Sequence, residues 1–214
     1  MTGHETLERR AGRIGRTLGC VFFISYHYDE YKCVERLNLD YCYLEHKMDV
    51  IIDKARPEEA SAMLDYLKRI GGESDNLSFG AEGLLISVED ERKYIQSMSN
   101  AKNSIFLLAK EREKIIGHCS LLGFSRRFSH RGELSIAVVK EYWHMGVGSA
   151  LLHKALYFAK SELALEVVSL EVRSDNKAAI HLYKKMGFRY IGTYEKFFKT
   201  DDGYFSADFM SLYL

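Results

Sequence analysis

Two glycines one residue apart, Gly146 and Gly148, lie in the stretch V-V-K-E-Y-W-H-M-G-V-G-S-A-L-L over residues 138–152. An apolar run ends at Val139, a polar turn follows, and a helix-like segment begins at the glycines. Strand, glycine turn and helix start bring unpaired main-chain N–H groups to one point, which is how proteins hold a phosphate. The chemistry suggested is binding of a phosphate or pyrophosphate; the structural alternative is a tight strand-to-helix turn without a ligand. Spelling excludes two nucleotide motifs. A dinucleotide fingerprint needs a third glycine where Leu151 stands, and a Walker loop needs a lysine where Ser149 and Ala150 follow Gly148.

Other reactive side chains are less pointed. His118 and Cys119 sit in an apolar run, so a buried neutral histidine and a small apolar cysteine are expected. His27, Cys33, Cys42 and His46 lack zinc-site spacing, and no metal is expected. Arg126, Arg127, His130 and Arg131 form a basic loop, ordinarily a solvated one.

The chain that must position these residues has 214 of them, 47% hydrophobic and 28% charged, as in an ordinary globular protein. Lys+Arg and Asp+Glu both number 30, so the formal net charge is zero. A nucleic-acid partner is therefore not expected, and no apolar run reaches membrane-spanning length. Cys20, Cys33, Cys42 and Cys119 are too few and scattered for a disulfide framework, which points to a reducing cytoplasmic setting. Arg9, Arg10, Arg13 and Arg16 ahead of the apolar run 18–26 resemble the start of a signal peptide. No small-residue cleavage site follows, so secretion is disfavoured.

Composition changes near Met48. Residues 1–47 are tyrosine-rich without a lasting period, and are expected as an N-terminal extension, an added strand or a dimer arm. Met48 followed by regular text is also what a later start would look like. Residues 48–214 read as one domain. Val50–Ile52 is a short strand; Pro57 opens a helix carrying Met63, Leu64, Leu67 and Ile70, with Gly71-Gly72 as its left-handed stop. After a loop over 73–86, Ser87-x-x-Asp90 has capping-box form and starts a helix to about Ser99. Strands over 104–110 and 115–124 form a hairpin through the charged turn 111–114, and Glu133–Val139 leads into the glycine turn. A helix over 146–161, a strand over 167–172, and a helix capped by Ser174 or Asp175 and stopped by Gly187 follow. Strands over 188–198 and 204–212 close the chain. The order β-α-α-β-β-β-α-β-α-β-β predicts an α/β fold: one mixed central sheet flanked by helices.

A little over twenty residues past the glycines begins L-E-V-R-S-D-N-K-A-A-I-H-L-Y-K-K-M-G-F, residues 170–188. Together with V-x-x-x-W-x-x-G-x-G-x-x-L-L, this pair resembles the acetyl-coenzyme A binding core of the GNAT superfamily of N-acetyltransferases, over about three quarters of the chain. The resemblance implies the GNAT fold and acetyl-CoA as co-substrate. Main-chain amides of His144, Met145, Gly146, Val147, Gly148 and Ser149 would cradle the pyrophosphate. Val138 and Val139 would pair with the pantetheine arm through their main chain. Asn176 would contact that arm, although Asn also caps helices well. Tyr183 would protonate the departing thiolate, although its helical spacing also suits a core aromatic. Glu133, at the start of the strand, is the candidate base, with a surface carboxylate as its alternative. One departure stands out: Trp143 occupies the first position of the turn, where the family has Gln or Arg.

These types suit acyl transfer. An amine of pKa about 10.4 must lose a proton before it attacks a thioester, and a base helps it do so. A thiolate whose acid titrates near about 8.5 leaves more easily with a proton donor beside it. A main-chain N–H at Val138 or Val139 would hold the oxyanion, and no covalent nucleophile is needed. The expected activity is acetyl transfer to a primary amine of a small molecule, polyamine or protein; an acyl-CoA sensor without turnover and a longer acyl donor are the alternatives. Substrate loops are expected over 71–86, 125–131 and 198–204, with Glu73, Asp75 and Glu82 as candidate attractors of a cation. The closing F-F-K-T-D-D-G-Y-F-S-A-D-F-M is similar to polyamine and ribosomal-protein N-acetyltransferases. No membrane partner is expected, and a homodimer is left open.

Overall fold

The computed structural model describes residues 41–44 and 48–214. Its strands are β1 (Tyr41–Leu44), β2 (Met48–Lys54), β3 (Ile105–Glu111), β4 (Lys114–Gly123), β5 (Arg131–Val138), β6 (Val167–Arg173), β7 (Arg189–Thr200) and β8 (Gly203–Tyr213). Its helices are α1 (Ala60–Glu73), α2 (Val88–Asn100), α3 (Val147–Ser161) and α4 (Lys177–Lys185). The strands form one sheet in the order β1-β2-β3-β4-β5-β6-β8-β7, and of its pairings only β5 with β6 is parallel. The mixed α/β architecture is the one expected. β1, which pairs with β2 from Tyr41 opposite Ile51 to Leu44 opposite Met48, is the addition. The remainder of the 1–47 stretch, and the side chains of Cys33, Cys42, His27 and His46, lie outside the described residues.

β3 reads I-F-L-L-A-K-E and is buried along nearly its whole length, because helices cover both faces of the sheet. α3 packs on β3, β4 and β5, while α1 lies against β4 and α2 against β3. Strand alternation assigns the faces. The Gly117 side of β4 meets Leu151 of α3, whereas the next residue, His118, meets Tyr66 of α1. One buried lysine, Lys110, is accommodated in β3 by an ion pair with Glu59 at 2.7 Å.

Two local expectations are corrected. Gly71-Gly72 do not stop α1, which continues to Glu73 and ends with Ser74 extended. Gly71 is required for another reason: a Cβ there would lie 2.0 Å from the Gly80 carbonyl oxygen, so the loop after α1 folds back against bare backbone. α4 is capped by neither Ser174 nor Asp175. Ser174 donates to Asp208 and Asp175 pairs with Arg173, while the Asn176 side chain accepts the Ala179 N–H at 3.1 Å. The Ser87 capping box of α2 forms as expected, and Gly187, at φ +90°, is the left-handed stop after α4.

The feature that positions a site is where β5 and β6 part. They pair over three rungs only, Arg131 with Val167, Gly132 with Val168 and Glu133 with Ser169. β5 then stays with β4 to Val138, and β6 stays with β8 to Arg173. The sheet is therefore split beyond Glu133, and each inner edge presents main-chain groups without a cross-strand partner.

Candidate active site

The ladder fixes which groups face the split. The Val139 N–H donates to the Ile116 carbonyl at 2.9 Å, so odd residues of β5 direct their main chain toward β4. Even residues (Leu134, Ile136 and Val138) direct theirs toward β6. Val139 is therefore corrected as a main-chain donor: its N–H is already taken. Ile136 takes its place beside Val138, and the sequence did not single it out. The Val138 carbonyl accepts the Trp143 indole N–H at 2.7 Å, leaving the Val138 N–H for the opening. Trp143 thus ties the glycine turn back to the strand end, half-exposed and with Lys140 5.9 Å from its ring, instead of presenting a charged group to a phosphate.

The turn itself is strained. His144 is left-handed at φ 61° and Gly146 at φ 85°; a non-glycine residue there costs on the order of 1 kcal/mol. Gly146 is the N-cap of α3, with no side-chain cap and no acidic residue in the first turn. α2 differs, carrying a full capping box with Glu89, Asp90 and Glu91 in its first turn. The N–H groups of Val147, Gly148 and Ser149 are thus left without the anionic or capping partner that helix starts usually acquire. Gly148 has ordinary helical backbone, and a Cβ there would make only ordinary contacts, 3.5 Å from Leu182 and 3.8 Å from Val138. The fold does not require this glycine; a ligand approaching the backbone would.

Those two distances also show that the end of β5, the start of α3 and α4 meet at one place. Tyr183, next to Leu182, is 7% exposed and packs 5.8 Å from the Phe188 ring. Its hydroxyl forms no hydrogen bond with any described residue, and no described buried polar atom is sealed without a partner, so the hydroxyl borders open space. Burial, with a smaller contribution from Cys119, pushes its pKa well above the usual tyrosine value, so it stays protonated at neutral pH. Asn176 engages its side-chain oxygen in the cap and keeps its amide N–H groups for other acceptors. Cys119 is fully buried and its thiol is pushed far up by burial, which rules it out as a nucleophile.

On the opposite face lie Glu133, Ser135 and Ala137 of β5. Ser169 pairs with Glu133, so Glu171, two residues further along β6, is on that same face just past the last shared rung. Burial first, and then the charge of Glu133, raise the Glu171 pKa above the ordinary glutamate value. Phe209 stands opposite Glu171 on β8, with Phe197 edge-on to it at 5.7 Å. Arg173 closes the end of β6: it donates to the Asp75 carbonyl at 2.9 Å, pairs with Asp175 and sits 3.9 Å from the Phe205 ring. It anchors the loop after α1 over this face.

Glu171 and Arg173 were not singled out from the sequence. The available signal was a lone carboxylate alternating with Leu170 and Val172 on a strand beside the split. Of the acidic candidates, Glu73, the last residue of α1, accepts from Arg69 and from the Lys140 N–H and so ties the helix end to the turn after β5, while Glu82 accepts the Gly80 N–H within its own loop. The basic loop forms an exposed 3-10 turn, Arg126–Phe128. Among the described residues no three His, Cys, Asp or Glu side chains are grouped to hold a metal, and no helix is long and apolar enough to cross a membrane.

Residues 75–188, which include the glycine turn and the Asn176–Tyr183 helix, match the family model described as Acetyltransferase (GNAT) family. The chain belongs to this family. An acetyltransferase of the GNAT family from Streptococcus pneumoniae superposes with a TM-score of 0.75 at 30% identity, covering 78% of this chain and 100% of that one. An N-alpha-acetyltransferase of Sulfurisphaera tokodaii is 39% identical over 75 residues, 35% of this chain and 45% of that protein. The L-amino acid N-acetyltransferase AaaT of Escherichia coli is 32% identical over 98 residues, 45% of this chain and 60% of that protein. The matched segment thus spans about half the length of these two relatives. The yncA protein of Salmonella typhimurium, described with its cofactor acetyl-CoA, shares the fold at a TM-score of 0.67 and 17% identity.

Proposed function

We propose that this GNAT domain transfers an acetyl group from acetyl-CoA to a primary amine by direct attack through the split between β5 and β6. The observation that carries this reading is Gly148, a glycine the fold does not need, at an uncapped helix start beside the parted strand. The N–H groups of Val147, Gly148 and Ser149 suit the pyrophosphate, with His144 and Met145 shaping the turn. Ile136 and Val138 offer main-chain groups to the pantetheine arm, and Asn176 an amide N–H.

The amine enters from the opposite face. Glu133 and Glu171 attract the ammonium form, and Phe209 and Phe197 give it an aromatic wall. Glu171, whose raised pKa brings it closer to neutrality, takes the proton that frees the nitrogen lone pair. The N–H of Ile136, deeper along the parted strand than Val138, faces the oxyanion as the nitrogen attacks, and Tyr183 gives its proton to the leaving sulfur. The names of the matched N-alpha-acetyltransferases and the amino acid N-acetyltransferase support an α-amino group as acceptor.

The test is thiol release from acetyl-CoA over a panel of amines, with binding followed by calorimetry. Release with peptide or amino acid amines is expected. Tight acetyl-CoA binding without release on any amine would overturn the enzymatic reading in favour of a sensor.

A further inference from the structure

The open end of the split is bridged by three consecutive residues. β5 and β6 last pair at Glu133 with Ser169, and four residues further on Ala137 and Arg173 face each other across the gap. α1 is fastened to the β5 side twice. The Tyr66 hydroxyl donates to the Ala137 carbonyl at 2.8 Å. Two turns later Glu73 Oε2 accepts the Lys140 N–H at 2.7 Å. The other Glu73 oxygen accepts from Arg69 Nε at 2.9 Å, and Arg69 reaches on to Glu141 at 3.0 Å, so the carboxylate is held in place. Ser74 then runs extended, and its hydroxyl accepts from the Asn76 N–H and side-chain amide at 3.2 and 2.8 Å. The Asp75 carbonyl accepts from Arg173 Nη1 at 2.9 Å.

The run Glu73-Ser74-Asp75 is therefore tied to the end of β5 on one side and to the end of β6 on the other. The β6 tie is itself rigid. The Arg173 guanidinium forks onto Asp175 at 2.9 and 2.6 Å, stacks 3.9 Å from the Phe205 ring, and is 8% exposed. Burying a guanidinium is unfavourable unless its N–H groups are met, and one of them meets a carbonyl ninety-eight positions away. Parted strand edges carry unpaired main-chain groups and take up any strand that comes near. For the inner edges of β5 and β6, that strand is the other one. A brace between their ends keeps the gap from closing, and a gap already open costs an entering ligand less.

We propose that Glu73 and Arg173 are positioning residues: through the 73–75 run they hold the ends of β5 and β6 at a fixed spacing, so that the split is open before acetyl-CoA arrives. This assignment rests on the reading of the split as the channel for the pantetheine arm.

The experiment is a double-mutant cycle on acetyl-CoA Kd by calorimetry, with Glu73→Ala, Arg173→Met and the two combined. Turnover is read alongside, at saturating acetyl-CoA with a peptide amine. Arg173→Met keeps an apolar stem beside Phe205 and removes the donor. Both single changes should raise Kd, Arg173→Met by about ten-fold, as for a ten-fold smaller open fraction. A brace freed at one end holds nothing, so the double variant should bind no more weakly than Arg173→Met alone. Two unrelated contacts would instead multiply their effects; no hydrogen bond or ion pair among the described residues joins Glu73 to Arg173. Turnover should stay within about two-fold, because saturating donor fills the open form. Asp175→Asn removes the other partner of Arg173 and should not couple to Glu73→Ala. Two glycines inserted after Ser74 leave both ties in place but slacken the run, and should raise Kd as Arg173→Met does; they decide the matter if a point variant does not fold. Effects on Kd that multiply, an insertion variant that binds as tightly as wild type, or a fall in turnover with Kd unmoved overturns the proposal. Wild-type protein that does not bind acetyl-CoA overturns the pantetheine reading itself, and with it the proposal.

Discussion

The two faces of the split sheet are built from different materials. On the α3–α4 face the opening is lined by main-chain N–H groups, small residues and one buried tyrosine. On the α1–α2 face it is lined by two carboxylates and a hydroxyl, Glu133, Glu171 and Ser135, with aromatic rings behind them. Main-chain groups are supplied by backbone conformation, so a short contiguous motif is enough to make the donor side. The acceptor side needs side chains from β5, β6 and β8 and a loop held by Arg173. Its chemistry can change residue by residue without disturbing the turn that holds the donor.

The comparison breaks most sharply at Glu171. Glu171→Gln should lower kcat by about 10²-fold or more, the range for losing a general base, while acetyl-CoA Kd by calorimetry stays unchanged. The sign of the pH effect follows from the raised pKa: the base works deprotonated, so the rate falls as pH falls through that pKa. Glu133→Gln removes one of the two causes of the shift, and the acidic limb of its kcat/KM profile should move to lower pH. An unmoved limb would separate the two carboxylates.

Tyr183→Phe, on the other face, should lower kcat by about ten-fold or more, again with Kd unchanged. Gly148→Ala should do the reverse. Acetyl-CoA Kd should rise by about ten-fold, while thermal stability holds or improves, because alanine is preferred over glycine in a helix by about 0.5–1 kcal/mol. A variant that binds as tightly as wild type would return Gly148 to the role of a mere turn residue. Trp143→Phe removes one indole hydrogen bond worth about 1 kcal/mol, and Kd should rise only a few-fold.

The same contrast explains what the sequence disclosed. The sheet, the hairpins and the α2 capping box follow from local period and cap chemistry. The donor motif was legible because its residues are contiguous in two short segments. Gly71-Gly72 misled because a glycine pair after an amphipathic run looks like a helix stop, and only the tertiary approach of Gly80 distinguishes the two. Val139 could not be separated from Val138 without the ladder phase set by Ile116. Glu171 was hidden in plain text: nothing local says that its strand has just parted from a neighbour carrying Glu133. Tyr66 falls on a helix already explained by Met63, Leu67 and Ile70, and its bond to Ala137 spans seventy-one positions.

Direct passage of the acetyl group through the split, from donor on one face to amine on the other, is most plainly tested by initial rates with both substrates varied, read beside the intact mass of the protein after acetyl-CoA alone. Intersecting lines and an unmodified protein are predicted, since both substrates must be bound at once and no nucleophile intervenes. Parallel lines together with an acetylated protein would contradict the account.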